Sequence, residues 1–208
     1  MKQEIRPRLD RDARREAILD VAGDVFLEEG FAAASMSAIA TLLGGSKGTL
    51  YNYYRSKEDL FEAYVCRHCI WLQEELFDFL VEGSEVRAAL TAFGVTLLSH
   101  VLSDFNLRNF RVITAEAERA QGIGKTFYEA GPLSGVKRLA IYLAGAAREG
   151  RLRMEDPLVA AHQFVGLCQN RMFKARMCGV MDEPTPEEIE QEVAAAVHTF
   201  MAAFGADA

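Results

Sequence analysis

Residues 35–57 read Ser35-Met36-Ser37-Ala38-Ile39-Ala40-Thr41-Leu42-Leu43-Gly44-Gly45-Ser46-Lys47-Gly48-Thr49-Leu50-Tyr51-Asn52-Tyr53-Tyr54-Arg55-Ser56-Lys57, and this stretch decides the fold. Ser35 stands where an N-cap belongs, ahead of a short helical run from Met36 to Leu43 that stops at Gly44-Gly45. Ser46 caps a second short helix, expected from Lys47 to Tyr53 or Tyr54. Two short helices joined by a tight glycine turn make a helix-turn-helix, whose second helix can lie in the major groove of DNA. Ile39, Ala40, Leu43, Leu50 and Tyr54 are the positions expected to hold the pair against a preceding helix. That leaves Ser46, Lys47, Thr49, Tyr51, Asn52 and Tyr53 at the exposed end, as small, polar or aromatic groups suited to phosphate and base-edge hydrogen bonds.

Outward from this segment the apolar period is helical. Upstream, Ile18, Val21, Ala22, Val25 and Phe26 recur at helical spacing, and Gly30 sits where a helix ends. Downstream, Ser56 opens a long helix to about Leu80, with Asp59 facing back toward the cap. Further helices are expected at about Glu85 to Ser103 (stripe Val86, Leu90, Phe93, Leu97) and Asn109 to Ala120 (Phe110, Ile113, Ala117). Another is expected from Ile123 to Glu149, interrupted at Gly131-Pro132. Asp156-Pro157 and Thr185-Pro186-Glu187-Glu188 open the last two, near 156–179 and 185–204. No window alternates as a strand does, so the fold class is all-α. The last two helices carry seams of alternating three- and four-residue steps: Leu158, Ala161, Val165, Cys168, Met172, Ala175 and Ile189, Val193, Ala196, Phe200, Ala203. Such seams pack either within one chain or against a symmetry mate, and the pattern favours a homodimer through these helices.

The 208 residues are 50% hydrophobic and 25% charged with 16 Gly and 5 Pro, an ordinary globular composition. The net charge of −7 argues against a chain that coats nucleic acid. Its distribution is uneven: no acidic residue lies between Glu29 and Glu58, whereas Lys47, Arg55 and Lys57 fall inside that gap. The N-terminal basic residues Lys2, Arg6, Arg8, Arg11, Arg14 and Arg15 are interleaved with Asp10, Asp12 and Glu16 and read as a solvated face, with a minor-groove arm as the alternative.

The 16-residue uncharged stretch Ala88–Ser103 falls short of the roughly 20 apolar residues a bilayer span needs, so no membrane association is expected. The charged first residues show no secretory signal, and four Cys are too few for a disulfide framework, so a cytoplasmic location is expected. Cys66-Arg67-His68-Cys69 lacks the second ligand pair a zinc site needs and the preceding strand that thioredoxin chemistry needs, so packing cysteines are the reading. No paired acids, nucleophile elbow or complete phosphate loop appears. No catalytic residue, metal or cofactor is therefore expected.

The segment Gly30-Phe31, Ile39-Ala40, Ser46-Lys47-Gly48-Thr49-Leu50-Tyr51, Tyr53-Tyr54 and Ser56-Lys57-Glu58-Asp59-Leu60 resembles the DNA-binding domain of the TetR family of bacterial transcriptional regulators. The resemblance implies that Tyr51 and Lys57 contact phosphate, and that Lys47, Gly48, Thr49, Asn52 and Tyr53 approach bases or backbone. It further implies that Ser35, and with it the first helix, is set against a phosphate. Gly45 stands where the family usually has valine, and Tyr54 where it usually has phenylalanine. More weakly, residues 110–116, 127–132 and 156–164 resemble the ligand-binding domain of the AefR-like group. That implies helices around a pocket for a small hydrophobic molecule, followed by two dimerising helices.

Together these readings give an N-terminal three-helix bundle carrying the helix-turn-helix (1–56) and a larger helical ligand-binding and dimerisation domain (57–208). The expected partners are double-stranded operator DNA, a small hydrophobic effector and a second copy of the chain. Candidate effector-binding residues are Phe93, Leu97, His100, Phe110, Ile113, Phe127, Tyr128, Phe164 and Arg171, with His100 and Arg171 placed to orient a polar group. The expected function is a ligand-responsive regulator, a repressor by family habit. The alternatives are a helical enzyme or carrier without specific DNA binding, and a redox sensor using Cys66 or Cys69.

Overall fold

A computed structural model of the chain describes residues 10–119 and 122–206, with the side chains of 70–76 left aside. The basic residues Lys2, Arg6 and Arg8, and Ala120 at the end of one expected helix, lie outside the described residues. Among those described, the only β-type pairing is an isolated bridge between Leu152 and Gly205, so the fold is all-α.

The chain divides into two compact units, one taking in the chain through Arg67 together with Val112–Thr126, the other His68–Arg111 with Phe127–Ala208. The first unit therefore extends past the expected boundary at residue 56, because α4 (Lys57–Phe77) packs its opening turns there: Leu60, Phe61, Tyr64 and Val65 are all buried.

In the first unit α1 (Arg11–Ala33) buries Ile18, Leu19, Ala22, Val25 and Phe26. Its regular part ends at Gly30, whose φ of 79° and ψ of 159° suit a residue without Cβ. Phe31 then turns inward, and Phe26, Phe31 and Phe61 form one aromatic cluster with centroid separations of 4.8–5.8 Å. Helices α2 (Met36–Leu42) and α3 (Lys47–Tyr51) close the bundle. As expected, Ile39, Ala40, Leu50 and Tyr54 are buried; Leu43 is half-buried.

The second unit holds α5 (Val86–Val101), the first turns of α6 (Asp104–Glu116), α8 (Ser134–Arg148), α9 (Pro157–Gln169), α10 (Met172–Met177) and α11 (Pro186–Phe204). Phe93, Phe164 and Phe200 are its largest fully buried rings, with Phe164 against Phe200 at 5.3 Å, edge to face. Beyond α7 (Ile123–Tyr128) the chain makes a π-helical turn, Glu129–Leu133, before α8. The interruption expected at Gly131-Pro132 takes this form because a wider turn relieves the clash of the proline ring with the preceding carbonyls.

Several boundaries differ from expectation. Helix α4 ends at Phe77 rather than Leu80. Helix α6 starts at Asp104 rather than Asn109, since Ser103 Oγ accepts from Asn106 N at 3.3 Å and so caps the new helix. The helix expected over 156–179 is broken at Asn170-Arg171, where Asn170 N closes on Leu167 O. Both seams turn mostly inward: Ala161, Cys168 and Met172, and Ile189, Val193, Ala196 and Phe200, are buried in this unit's own core. The seam residues thus serve intramolecular packing. On α9 the outward positions include Val159, 49% exposed, and Leu158, 39% exposed.

Candidate nucleic-acid interface and ligand cavity

Short-range hydrogen bonds build the helix-turn-helix. Ser35 Oγ accepts from Ala38 N at 3.1 Å and starts α2. Gly44, at φ 65°, reverses the chain after it. Ser46 Oγ accepts from Thr49 N at 3.1 Å and lies 2.9 Å from Thr49 Oγ1, which starts α3. Helix α3 ends at Tyr51, earlier than expected, because Asn52 N and Tyr53 N bond back to Thr49 O and Leu50 O in a tightened last turn.

Lys47, Gly48, Thr49, Tyr51 and Asn52 are exposed, and Tyr53 is half-buried. Lys47 Nζ lies 5.8 Å from the centre of the Tyr51 ring, and that ring is 42% exposed. Ser35 and Ser46 are exposed as well, but their hydroxyls already cap helices. Lys57 is the least free of the set. Its ammonium donates to the carbonyls of Phe31 (2.6 Å), Ala34 (3.0 Å) and Ala32 (3.3 Å), 4.4 Å from the centre of the Phe31 ring. It ties the start of α4 to the turn that follows Gly30.

Of the two departures from the family pattern, the one at Tyr54 has a local explanation. The buried Tyr54 accepts from Arg15 Nε through its hydroxyl at 3.2 Å, so the extra oxygen is satisfied. Burial pushes the Tyr54 phenol up from its ordinary pKa, against the opposing effect of Arg15. At Gly45 a Cβ would come within 3.2 Å of Arg14 Nη2, the far end of a flexible side chain.

The second unit encloses a cavity of about 320 Å³. Helix α5 contributes Phe93, Leu97 and Val101, α6 contributes Asn106, Asn109 and Phe110, and α9 contributes His162, Val165 and Gln169. Phe127, Tyr128, Gly131, Pro132, Gly135 and Val136 line it from the segment containing the π-turn; His68, Cys69 and Phe173 complete it. Among the described residues no Asp, Glu, Lys or Arg lines this space, and most of the surface is carbon. The π-turn widens the helix at the cavity wall.

Five of the expected effector residues, Phe93, Leu97, Phe110, Phe127 and Tyr128, meet at this cavity. Four do not. Phe164 is wholly buried between Phe93 and Phe200. Ile113 is buried in the first unit, beyond the point where α6 leaves the second. Arg171 is exposed and pairs with Glu192, its Nε 3.0 Å from Oε2, because the helix break at Asn170 swings it off the α9 face. The His100 ring is not part of the wall; the His100 carbonyl instead accepts from Asn106 Nδ2 at 2.6 Å. Asn106, Asn109, His162 and Gln169 escaped the sequence reading because single polar residues inside apolar stripes resemble solvent-facing positions.

Cys66 and Cys69 form no disulfide, and Cys69 is buried. Burial and the neighbouring Glu62 push the Cys66 thiol up, away from the reactive thiolate. Among the described residues no group of His, Cys, Asp and Glu is arranged to hold a metal ion, and no single helix is long and apolar enough to cross a membrane.

Residues 18–64 match the family of bacterial regulatory proteins, tetR family, and residues 88–206 match the C-terminal domain of AefR-like transcriptional repressors. The chain belongs to the TetR family of bacterial transcriptional regulators. A solved structure of the flavonoid-responsive regulator FrrA is 34% identical, covering 92% of this chain and 97% of that one, with a TM-score of 0.82. A TetR-family regulator from Mesorhizobium loti is 25% identical over 95% of this chain and 100% of that one, at a TM-score of 0.87. Among curated relatives, the transcriptional activator FasR of Mycolicibacterium smegmatis is 44% identical over 83 residues, 40% of this chain but only 33% of FasR. The TetR-family matches are to regulators, so the chain is a transcriptional regulator and not an enzyme. TetR-family regulators bind operator DNA, form homodimers and respond to small molecules.

Proposed function

We propose that this TetR-family protein is a ligand-responsive repressor, working as a cytoplasmic homodimer that releases its operator when a small, mostly apolar effector enters the cavity. The observation that carries the reading is the pairing, in one chain, of an exposed polar α3 face with an aromatic cavity that has no Asp, Glu, Lys or Arg among its described lining residues. Tyr51, Lys47, Thr49, Asn52 and Tyr53 contact the duplex, with Gly48 letting the backbone approach it. Ser35 and Ser46 present the first turns of α2 and α3 to phosphates while capping them. Lys57 places its ammonium at the start of α4 while holding that start to the Gly30 turn.

The proposed division of labour keeps DNA reading in residues 1–56 and effector binding with dimerisation in 57–208. Helix α4 begins at Lys57 and also carries His68 and Cys69 of the cavity wall. An effector acts through it only by binding the DNA-incompetent arrangement more tightly than the competent one. Dimerisation uses the outward faces of α9 and α11, where Gln163, Gly166, Thr199 and Ala203 border an open groove. FrrA, similar along nearly its whole length, is by name responsive to flavonoids, and planar aromatic molecules suit a cavity walled by Phe93, Phe110 and Phe127. The repressor sign follows the AefR-like repressor match, while FasR is by name an activator.

The test is selection of bound DNA from a random pool by the full-length protein. Enrichment of a pseudo-palindrome with two half-sites is expected; enrichment of single half-sites alone contradicts the dimer, and no enrichment contradicts the DNA-reading assignment. Fusing the selected site to a reporter then fixes the sign, with higher output on deletion of the regulator expected for a repressor.

A further inference from the structure

Among the described residues, Asn106 carries the one buried side-chain polar atom of the cavity wall that lacks a hydrogen-bond partner. It sits in the first turn of α6, on a wall it shares with Phe93, Leu97 and Phe110. Its Nδ2 donates to the His100 carbonyl at 2.6 Å and to Ser103 Oγ at 3.0 Å. Ser103 Oγ gives its own proton to that same carbonyl at 2.9 Å, so toward Asn106 it can only accept. Exchanging the amide oxygen and nitrogen would set two acceptor oxygens 2.6 Å apart, which fixes the orientation of the amide. Oδ1 is thereby left buried, with no donor against it among the described residues. Buried acceptors in this condition are rare in folded proteins, and leaving one unmet costs stability that a bound donor restores.

The remaining wall sharpens what that donor belongs to. No Lys or Arg among the described lining residues awaits a carboxylate or phosphate, and the rest of the surface is mostly aromatic and aliphatic. We infer that Asn106 is the specificity-determining residue of the cavity: its Oδ1 accepts a hydrogen bond from a hydroxyl or N–H of an uncharged, largely aromatic effector. The inference rests on the proposed reading of the cavity as the effector site. It adds the requirement that the effector carry a donor.

The experiment measures binding of three pairs of flavones, substituted at the 6, 3′ or 4′ position with either hydroxyl or methoxyl, to the full-length wild-type protein and to Asn106→Leu. Laurate serves as an anionic probe. In wild type at least one hydroxyflavone is expected to bind about tenfold more tightly than its methoxy partner, the worth of one neutral hydrogen bond in a dry site. In Asn106→Leu that ratio falls to about one, with the methoxy compound binding at least as well as before. The ratio within each protein is insensitive to a general loosening of the fold, so a purely structural role for Asn106 would leave it unchanged. Should Asn106→Leu fail to fold, the Asn106 Cγ resonance of labelled wild-type protein gives the same answer, shifting with the hydroxy compound and not with the methoxy one. Equal affinities within every pair, a ratio unchanged by the substitution, or tighter binding of laurate than of any hydroxyflavone overturns the role of Asn106. If neither the flavones nor laurate binds wild type, the assignment of the cavity itself falls.

Discussion

The helix-turn-helix and the cavity are made in opposite ways. From Ser35 to Tyr54 the geometry is set by contacts three or four residues apart: two serine caps, one left-handed glycine and a tightened last turn. Its side chains of functional interest face solvent. The cavity collects residues from His68 to Phe173, and its walls are fixed by packing between distant helices. Its informative polar atom, Asn106 Oδ1, is buried. A site built from local rules tolerates single changes to its parts, whereas a site built from packing fails when one large core side chain is removed.

The widest separation between the two regions is expected in stability. Phe164→Ala removes a fully buried ring between Phe93 and Phe200 and is expected to cost about 3–5 kcal/mol. Ser46→Ala removes only a cap from α3 and is expected to cost about 1 kcal/mol. Denaturant unfolding of the two variants checks both figures; similar costs would erase the distinction.

Two lysines sharpen it within the DNA-binding unit. Lys57→Ala strips three main-chain carbonyls of their donor and is expected to cost about 1–3 kcal/mol of stability, besides weakening DNA binding. Lys47→Ala removes an exposed side chain whose ammonium lies over the Tyr51 ring, so stability stays within about 0.5 kcal/mol. In both variants the salt dependence of operator binding is expected to fall by about one unit of slope. An unchanged slope for Lys57→Ala would leave it as a purely structural clamp.

The contrast also explains what could be read from the chain beforehand. Caps, glycine stops and helical stripes are local, and so the all-α fold, the helix-turn-helix and the five aromatic and aliphatic cavity residues were legible. The His100 ring is not among the described lining residues; its carbonyl instead accepts from Asn106 Nδ2, a contact that side-chain periodicity does not reveal. Arg171 was misplaced because nothing at Asn170-Arg171 signals a helix break, there being neither glycine nor proline. The seams of α9 and α11 were visible, but periodicity alone does not say whether a stripe faces its own core or a second chain.

Thiol reactivity provides the smallest test. Cys168 is pushed up to about 12 by burial and by Glu192, Cys66 is raised by burial, and Cys178 is exposed. Alkylation of the native protein at pH 8, followed by mass spectrometry, is expected to label Cys178 well before the other two, since the thiolate is the nucleophile. Preferential labelling of Cys66 would revive a redox role for it.

In the proposed mechanism these differently built regions act as one switch. The most direct test is fluorescence anisotropy of the selected operator titrated with full-length protein, with and without a saturating hydroxyflavone. The ligand is expected to weaken operator binding roughly 5- to 150-fold, the usual range of coupling between sites. Operator affinity unchanged by a ligand shown to occupy the cavity would contradict it.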